Sequence, residues 1–108
     1  MIALIPARSG SLRLKNKNIK IINGKPLIAH TIEQAKKVKK ITRIIVSTDS
    51  KKIASIATRF GAEVPFLRPA KLAGKKASLL DVCKHTIKKL EVIHDELINS
   101  FVILQPTS

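Results

Sequence analysis

At 108 residues with a single cysteine, Cys83, the chain has room for one domain, and it excludes both an internal disulfide and a cysteine-built metal site. Its apolar share of 44% is ordinary for a globular protein, and no apolar run approaches the roughly 18 residues that cross a bilayer. The formal net charge of +14 admits three readings: a nucleic-acid face, a site for anionic small molecules, or lysine-rich solvated helix faces.

The third reading suits most of the lysines. They outnumber arginines about three to one, fall in pairs such as Lys36-Lys37 and Lys88-Lys89, and interleave with aliphatic residues at helical spacing. Base-reading proteins favour arginine and stacking aromatics, and here Phe is the only aromatic type, with three copies. No basic region precedes the first apolar stretch, so no secretory signal is read and the cytoplasm is the expected compartment.

In chain order, Met1 to Ile5 is an apolar run without alternation, as in a strand buried on both faces. A long cationic loop follows, Pro6 to Asn18, with one glycine and two serines. Ile19 to Ile22 is a short β-branched run, and Asn23-Gly24 is a strong turn signal. Pro26 is expected in the first turn of a helix running to Lys40, with Ile28, Ile32, Ala35 and Val38 inward. Arg43 to Ser47 reads as a buried strand. Asp49 or Ser50 caps a helix from Lys51 to Phe60, which Gly61 ends. Glu63 to Pro69 is extended around its prolines. A third helix, capped by Ser78, runs from Leu79 to Val92, and Phe101 to Leu104 reads as another buried strand.

This alternation predicts an α/β domain with a parallel sheet, its ligand outside the carboxyl ends of the strands. Three segments reach that edge: Pro6 to Asn18, Ser47 to Ser50, and Gln105 to Ser108. The first contains neither a Walker loop nor a dinucleotide fingerprint. Backbone N–H groups near Gly10, with Arg8 and Lys17, suit a phosphate cradle; a solvated basic loop is the competing reading. His30, His85, His94, Asp81 and Cys83 read as structural residues, and Asp49 reads first as a capping residue. The sheet ends on a strand with no helix to cover it, so the chain reads as the first half of something larger.

Five collinear blocks carry a family resemblance. They are Ile5-Pro6-Ala7-Arg8-Ser9-Gly10-Ser11 with Lys17-Asn18-Ile19; Gly24 to Ile32; Ile45-Val46-Ser47-Thr48-Asp49; Gly61 to Ala70; and Leu104-Gln105-Pro106-Thr107-Ser108. In order and spacing they resemble the acylneuraminate cytidylyltransferases, which make CMP-sialic acids and the pseudaminic and legionaminic analogues. The resemblance implies a Rossmann-like nucleotidyltransferase fold, with residues 1–108 as the N-terminal half of a cytidylyltransferase domain. It implies transfer of CMP from CTP to a nonulosonic acid, assisted by Mg²⁺, in a family whose full-length members are expected to form homodimers.

Carried onto this chain, the resemblance puts Arg8, Ser9, Gly10, Ser11 and Lys17 on the triphosphate, with Asn18 beside the nucleotide. Arg8 and Lys17 are the cations assigned to the reaction. Arg68 and Ala77-Ser78 fall in the nucleotide pocket, and Gln105 faces the sugar acid. Leu12 stands where the family usually carries a lysine, and Leu79 where it carries a hydroxyl. The family's acidic metal-binding pair belongs to a second half, so no metal ligand is assigned within the 108 residues and they are not expected to turn over alone. The alternatives are a shortened, non-catalytic nucleotide-binding remnant and a basic nucleic-acid-binding module.

Overall fold

The computed structural model describes residues 1–7, 20–67, 79–94, 98 and 100–104. The first strand, β1 (Ile2–Pro6), lies in the middle of a parallel sheet. On one side it pairs with β4 (Arg43–Ser47), in register from Ile2↔Arg43 to Pro6↔Ser47. On the other it pairs with β5 (Phe101–Ile103), from Ile2↔Phe101 to Leu4↔Ile103. Beyond β4 the sheet gains one more rung, where Val46 N donates to Glu63 O and Glu63 N to Ile44 O.

Successive residues of a strand point to opposite faces, and here each face has its own helices. Ala3 and Ile5 of β1 and Ala7 just after it, with Ile44 and Val46 of β4, form one cluster with Ile28, Ile32 and Ala35 of α1 (Leu27–Lys36) and Ile53 and Ala57 of α2 (Lys51–Arg59). Leu4 and Ile45 face the other way, onto Cys83 and Leu90 of α3 (Leu79–His94). β1 is therefore covered on both faces and paired on both edges, which is why its sequence is continuously apolar.

Between β1 and α1 a small hairpin joins β2 (Ile21–Ile22) to β3 (Lys25–Pro26). Asn23 and Gly24 at its tip have φ of 50° and 84°. Left-handed backbone at both central residues is the geometry that a tight two-residue hairpin needs. Lys25 Nζ reaches both carboxylate oxygens of Glu33, at 2.8 and 2.9 Å, and ties the hairpin to α1. His30, structural as expected, binds the Ile22 carbonyl oxygen through Nε2.

Four expectations change in detail. Pro26 is not inside the helix: it pairs with Ile21 in β3 and holds extended backbone, φ −57° and ψ 146°, at the N-cap position. Helix α1 ends at Lys36, and Lys37 N and Val38 N then bond three residues back, to Gln34 O and Ala35 O. The lysines that follow offer nothing to bury, so the chain tightens and turns toward β4. Val38 is accordingly 47% exposed rather than inward, and β5 is a half-covered edge strand with Phe101 40% exposed. Helix α2 keeps its predicted signals: Ser50 Oγ accepts from Ile53 N at 3.2 Å, and Gly61 follows the helix with φ 99°. The expected cap at Ser78 lies outside the described residues.

Candidate functional site

The strand order reverses at β1. From β1 the chain steps through α1 to β4 on one side, and later returns through α3 to β5 on the other. Such a switch point leaves a crevice at the carboxyl ends of the strands, the usual ligand position in open α/β sheets.

The described ends of the strands are tightly fixed. Ala7 N donates to Ser47 O at 2.9 Å, and Leu104 N to Leu4 O at 2.9 Å, so the parallel ladders run to the edge. Ala7, Ser47 and Thr48 are buried there. Thr48 Oγ1 accepts from Ser50 N at 3.1 Å, which folds the turn between β4 and α2. Thr86 Oγ1 of α3 donates to Ser47 Oγ at 3.3 Å, one turn before Leu90 enters the core. A hydroxyl pair thus joins the second helical layer to the edge. The cue for them in the sequence is Ser47-Thr48 at the end of a β-branched run; their partner on α3 is set only by the fold.

Lys51 and Lys52 occupy the exposed first turn of α2, beside Ser50 and the edge. Cations are unfavourable at a helix N-terminus, and this first turn has no acidic residue to offset them. The local field therefore favours an anion. Asp49 supplies a carboxylate beside it, partly buried. Among the described residues no group of three or more His, Cys, Asp or Glu could hold a metal ion. These residues do not fit a magnesium site.

Arg8, Ser9, Gly10, Ser11, Lys17, Asn18, Arg68, Ala77, Ser78 and Gln105 all lie outside the described residues. Their described neighbours are informative in part. Ala7, which precedes Arg8, and Leu104, which precedes Gln105, end adjacent strands at the same edge. Arg68 and Ala77-Ser78 fall between Leu67 and the start of α3. Phe66, just before them, packs edge-on against His85 of α3 at 5.7 Å between ring centroids, and Lys89 Nζ lies 4.9 Å from the Phe66 centroid. His85 therefore has a packing role.

Known proteins share this frame. The family described as cytidylyltransferase matches residues 2–108. A CMP-N,N'-diacetyllegionaminic acid synthase of Legionella pneumophila is 44% identical over 108 residues, covering 100% of this chain and 46% of that protein. An N-acylneuraminate cytidylyltransferase of Escherichia coli is 45% identical over 108 residues, covering 100% of this chain and 24% of that protein. The solved CMP:2-keto-3-deoxy-manno-octonic acid synthetase in complex with CTP superposes with a TM-score of 0.75 at 28% identity, over 97% of this chain and 39% of its own. The chain thus spans less than half the length of these relatives, and its parallel sheet between helices is part of a Rossmann-like nucleotidyltransferase fold. With the match running through every strand and helix described, the chain belongs to the cytidylyltransferase family.

Proposed function

We propose that the chain is the nucleotide-binding half of a cytidylyltransferase domain that uses CTP and a nonulosonic acid. The observation that carries this reading is the family match over residues 2–108, with a cationic stretch that in sequence follows the strand at which the strand order reverses. In the reaction, the anomeric hydroxyl of the sugar acid attacks the α-phosphorus of CTP in line. The Pα–O–Pβ bond breaks, pyrophosphate leaves with the electron pair, and the hydroxyl proton goes to solvent or a base. The demand on the protein is to hold and neutralise a triphosphate. Arg8 and Lys17 supply the fixed cations, the backbone and hydroxyls of Ser9, Gly10 and Ser11 supply donors, and Asn18, Arg68 and Ala77-Ser78 hold the nucleoside end. Gln105 addresses the sugar acid. Mg²⁺ belongs to the proposal as a charge-neutralising partner held by carboxylates beyond these residues.

A second reading, a nucleotide-binding protein without catalysis, is favoured by Leu12 and Leu79, which stand where the resemblance expects a lysine and a hydroxyl. Calorimetric titration with CTP, followed by a pyrophosphate-release assay with Mg²⁺ and several nonulosonic acids, separates the two. CTP binding without turnover by the 108 residues, and turnover once the remaining length is supplied, is the expected result. Steeply salt-dependent DNA binding with no affinity for CTP would overturn both readings in favour of a nucleic-acid-binding module.

A further inference from the structure

The β2–β3 hairpin stands where the chain returns from the stretch assigned to the triphosphate. Lys20, two positions after Asn18, leads into it, and Lys20 O accepts from Leu27 N at 2.9 Å. At the other end, Ala7, just before Arg8, is tied to β4 through Ser47 O. The stretch thus begins and finishes at backbone points fixed by hydrogen bonds, and the finishing point belongs to the hairpin.

Burial does little to hold that hairpin. Two strands of two residues each are marginal by themselves. Ile21 is 62% exposed, and neither core cluster takes a residue from the 20–26 segment. Its place therefore depends on ties to α1. One is the Lys25–Glu33 ion pair, with side chains 44% and 35% exposed, and a pair so open to water contributes little. Another is His30, one turn into α1, whose Nε2 meets the Ile22 carbonyl oxygen in a partly buried setting. A carbonyl can only accept, so Nε2 carries the proton and donates. His30 belongs to neither apolar cluster, and its bond reaches a segment that the core does not use. What the bond fixes is geometry at the end of the cationic stretch.

We propose that His30 is a positioning residue for the triphosphate. Through the Ile22 carbonyl it holds the hairpin against α1, and the hairpin sets where Lys17 and Asn18 lead back into the fold. Placement matters because charge-assisted contacts depend on distance and direction. This inference deepens the nucleotide-binding reading and rests on it.

Two variants of the chain separate the donor from the bulk of the ring. His30→Leu keeps an apolar body without a donor, whereas His30→Gln carries an amide N–H as far along the side chain as Nε2. In His30→Leu the Leu27 amide proton should exchange with solvent about fivefold faster, while that of Val46 in β4 keeps its rate. Calorimetric titration should show CTP binding weakened about fivefold or more. Binding of CMP, which lacks the β- and γ-phosphates, should weaken by less than about twofold, and the melting temperature should stay within about 2 °C. His30→Gln should return CTP affinity to within about twofold of the original. Equal loss of CTP and CMP affinity, or a melting temperature lowered by about 5 °C or more, would mark plain fold stability and overturn the proposal. Unchanged Leu27 exchange, unchanged CTP affinity in His30→Leu, or no recovery in His30→Gln would also overturn it. An unsubstituted chain with no affinity for CTP would overturn the nucleotide reading and this role together, whereas ordinary CTP binding that ignores His30→Leu overturns the role alone.

Discussion

Thr86 Oγ1 donates to Ser47 Oγ across 3.3 Å in the interior, joining α3 to the last residue of β4. A buried hydroxyl pair of this kind contributes about 1 kcal/mol net. Thr86→Val keeps the side chain's shape and removes its donor. It should lower the unfolding free energy by roughly 1 kcal/mol in a urea titration without changing the slope.

Phosphate contacts from charged donors are stronger. Each one lost costs about 1.5–3 kcal/mol, or roughly tenfold to a hundredfold in affinity. Arg8→Ala with Lys17→Ala should therefore weaken CTP binding at least tenfold. Leu12→Lys, which supplies the cation that the resemblance expects there, should tighten it. Calorimetric titration measures both; unchanged CTP affinity in the double variant would end the assignment of this loop to the triphosphate.

Glu33 gives a pH dependence with a definite sign. Its carboxyl is held below the ordinary range first by the hydrogen bond from Lys25, and then by the positive charges of Lys25, His30 and Lys36. A lowered folded pKa means that the contribution is present above the unfolded carboxylate value and is lost as pH falls through the folded one. The pair is solvent-exposed, so the effect is small and screened by salt. Glu33→Gln should lower the melting temperature slightly at neutral pH in dilute buffer. The difference should disappear in strong acid, and also in molar salt.

Ile5 lies fully buried in the middle strand. Ile5→Ala removes aliphatic contacts and leaves a cavity, at a cost of about 2–5 kcal/mol. That is a large share of the roughly 5–15 kcal/mol that holds a small domain folded. Circular dichroism should show a partly or wholly unfolded chain at 37 °C. Val92→Ala on α3, at a position 76% exposed, should be close to neutral by the same measurement.

Much of the fold was legible because burial on two faces leaves a plain signature. Ile2 to Ile5 and Ile44 to Val46 could hardly sit anywhere but inside a sheet, and Ser50, Gly61 and Asn23-Gly24 act where their local chemistry says they should. The errors came from competition that a linear reading does not weigh. Pro26 fits a helical first turn, but pairing with Ile21 claims it for the hairpin. Val38 continues the helical stripe, but the lysines around it bury nothing and the helix ends before it. Phe101 is as apolar as a core residue, but its strand lies at the end of the sheet order. For the candidate site, the sequence blocks name residues and the structure supplies the frame: Ala7 and Leu104 end neighbouring strands at the reversal, with the turn after Ser47 beside them. The bond between Ser47 and Thr86 was invisible beforehand, because nothing local links two hydroxyls on separate elements.

The central position of β1 also bears on the order of events during synthesis. β1 is made before either of the neighbours it needs. Its partnership with β4 becomes available early, through a single crossover, whereas Ile2↔Phe101 pairs residues at nearly opposite ends of the chain. At roughly 5–20 residues per second, one edge of β1 waits several seconds on the ribosome for its complement. During that interval the nascent chain presents an apolar strand with an open side, the kind of surface that aggregates if it meets another like it.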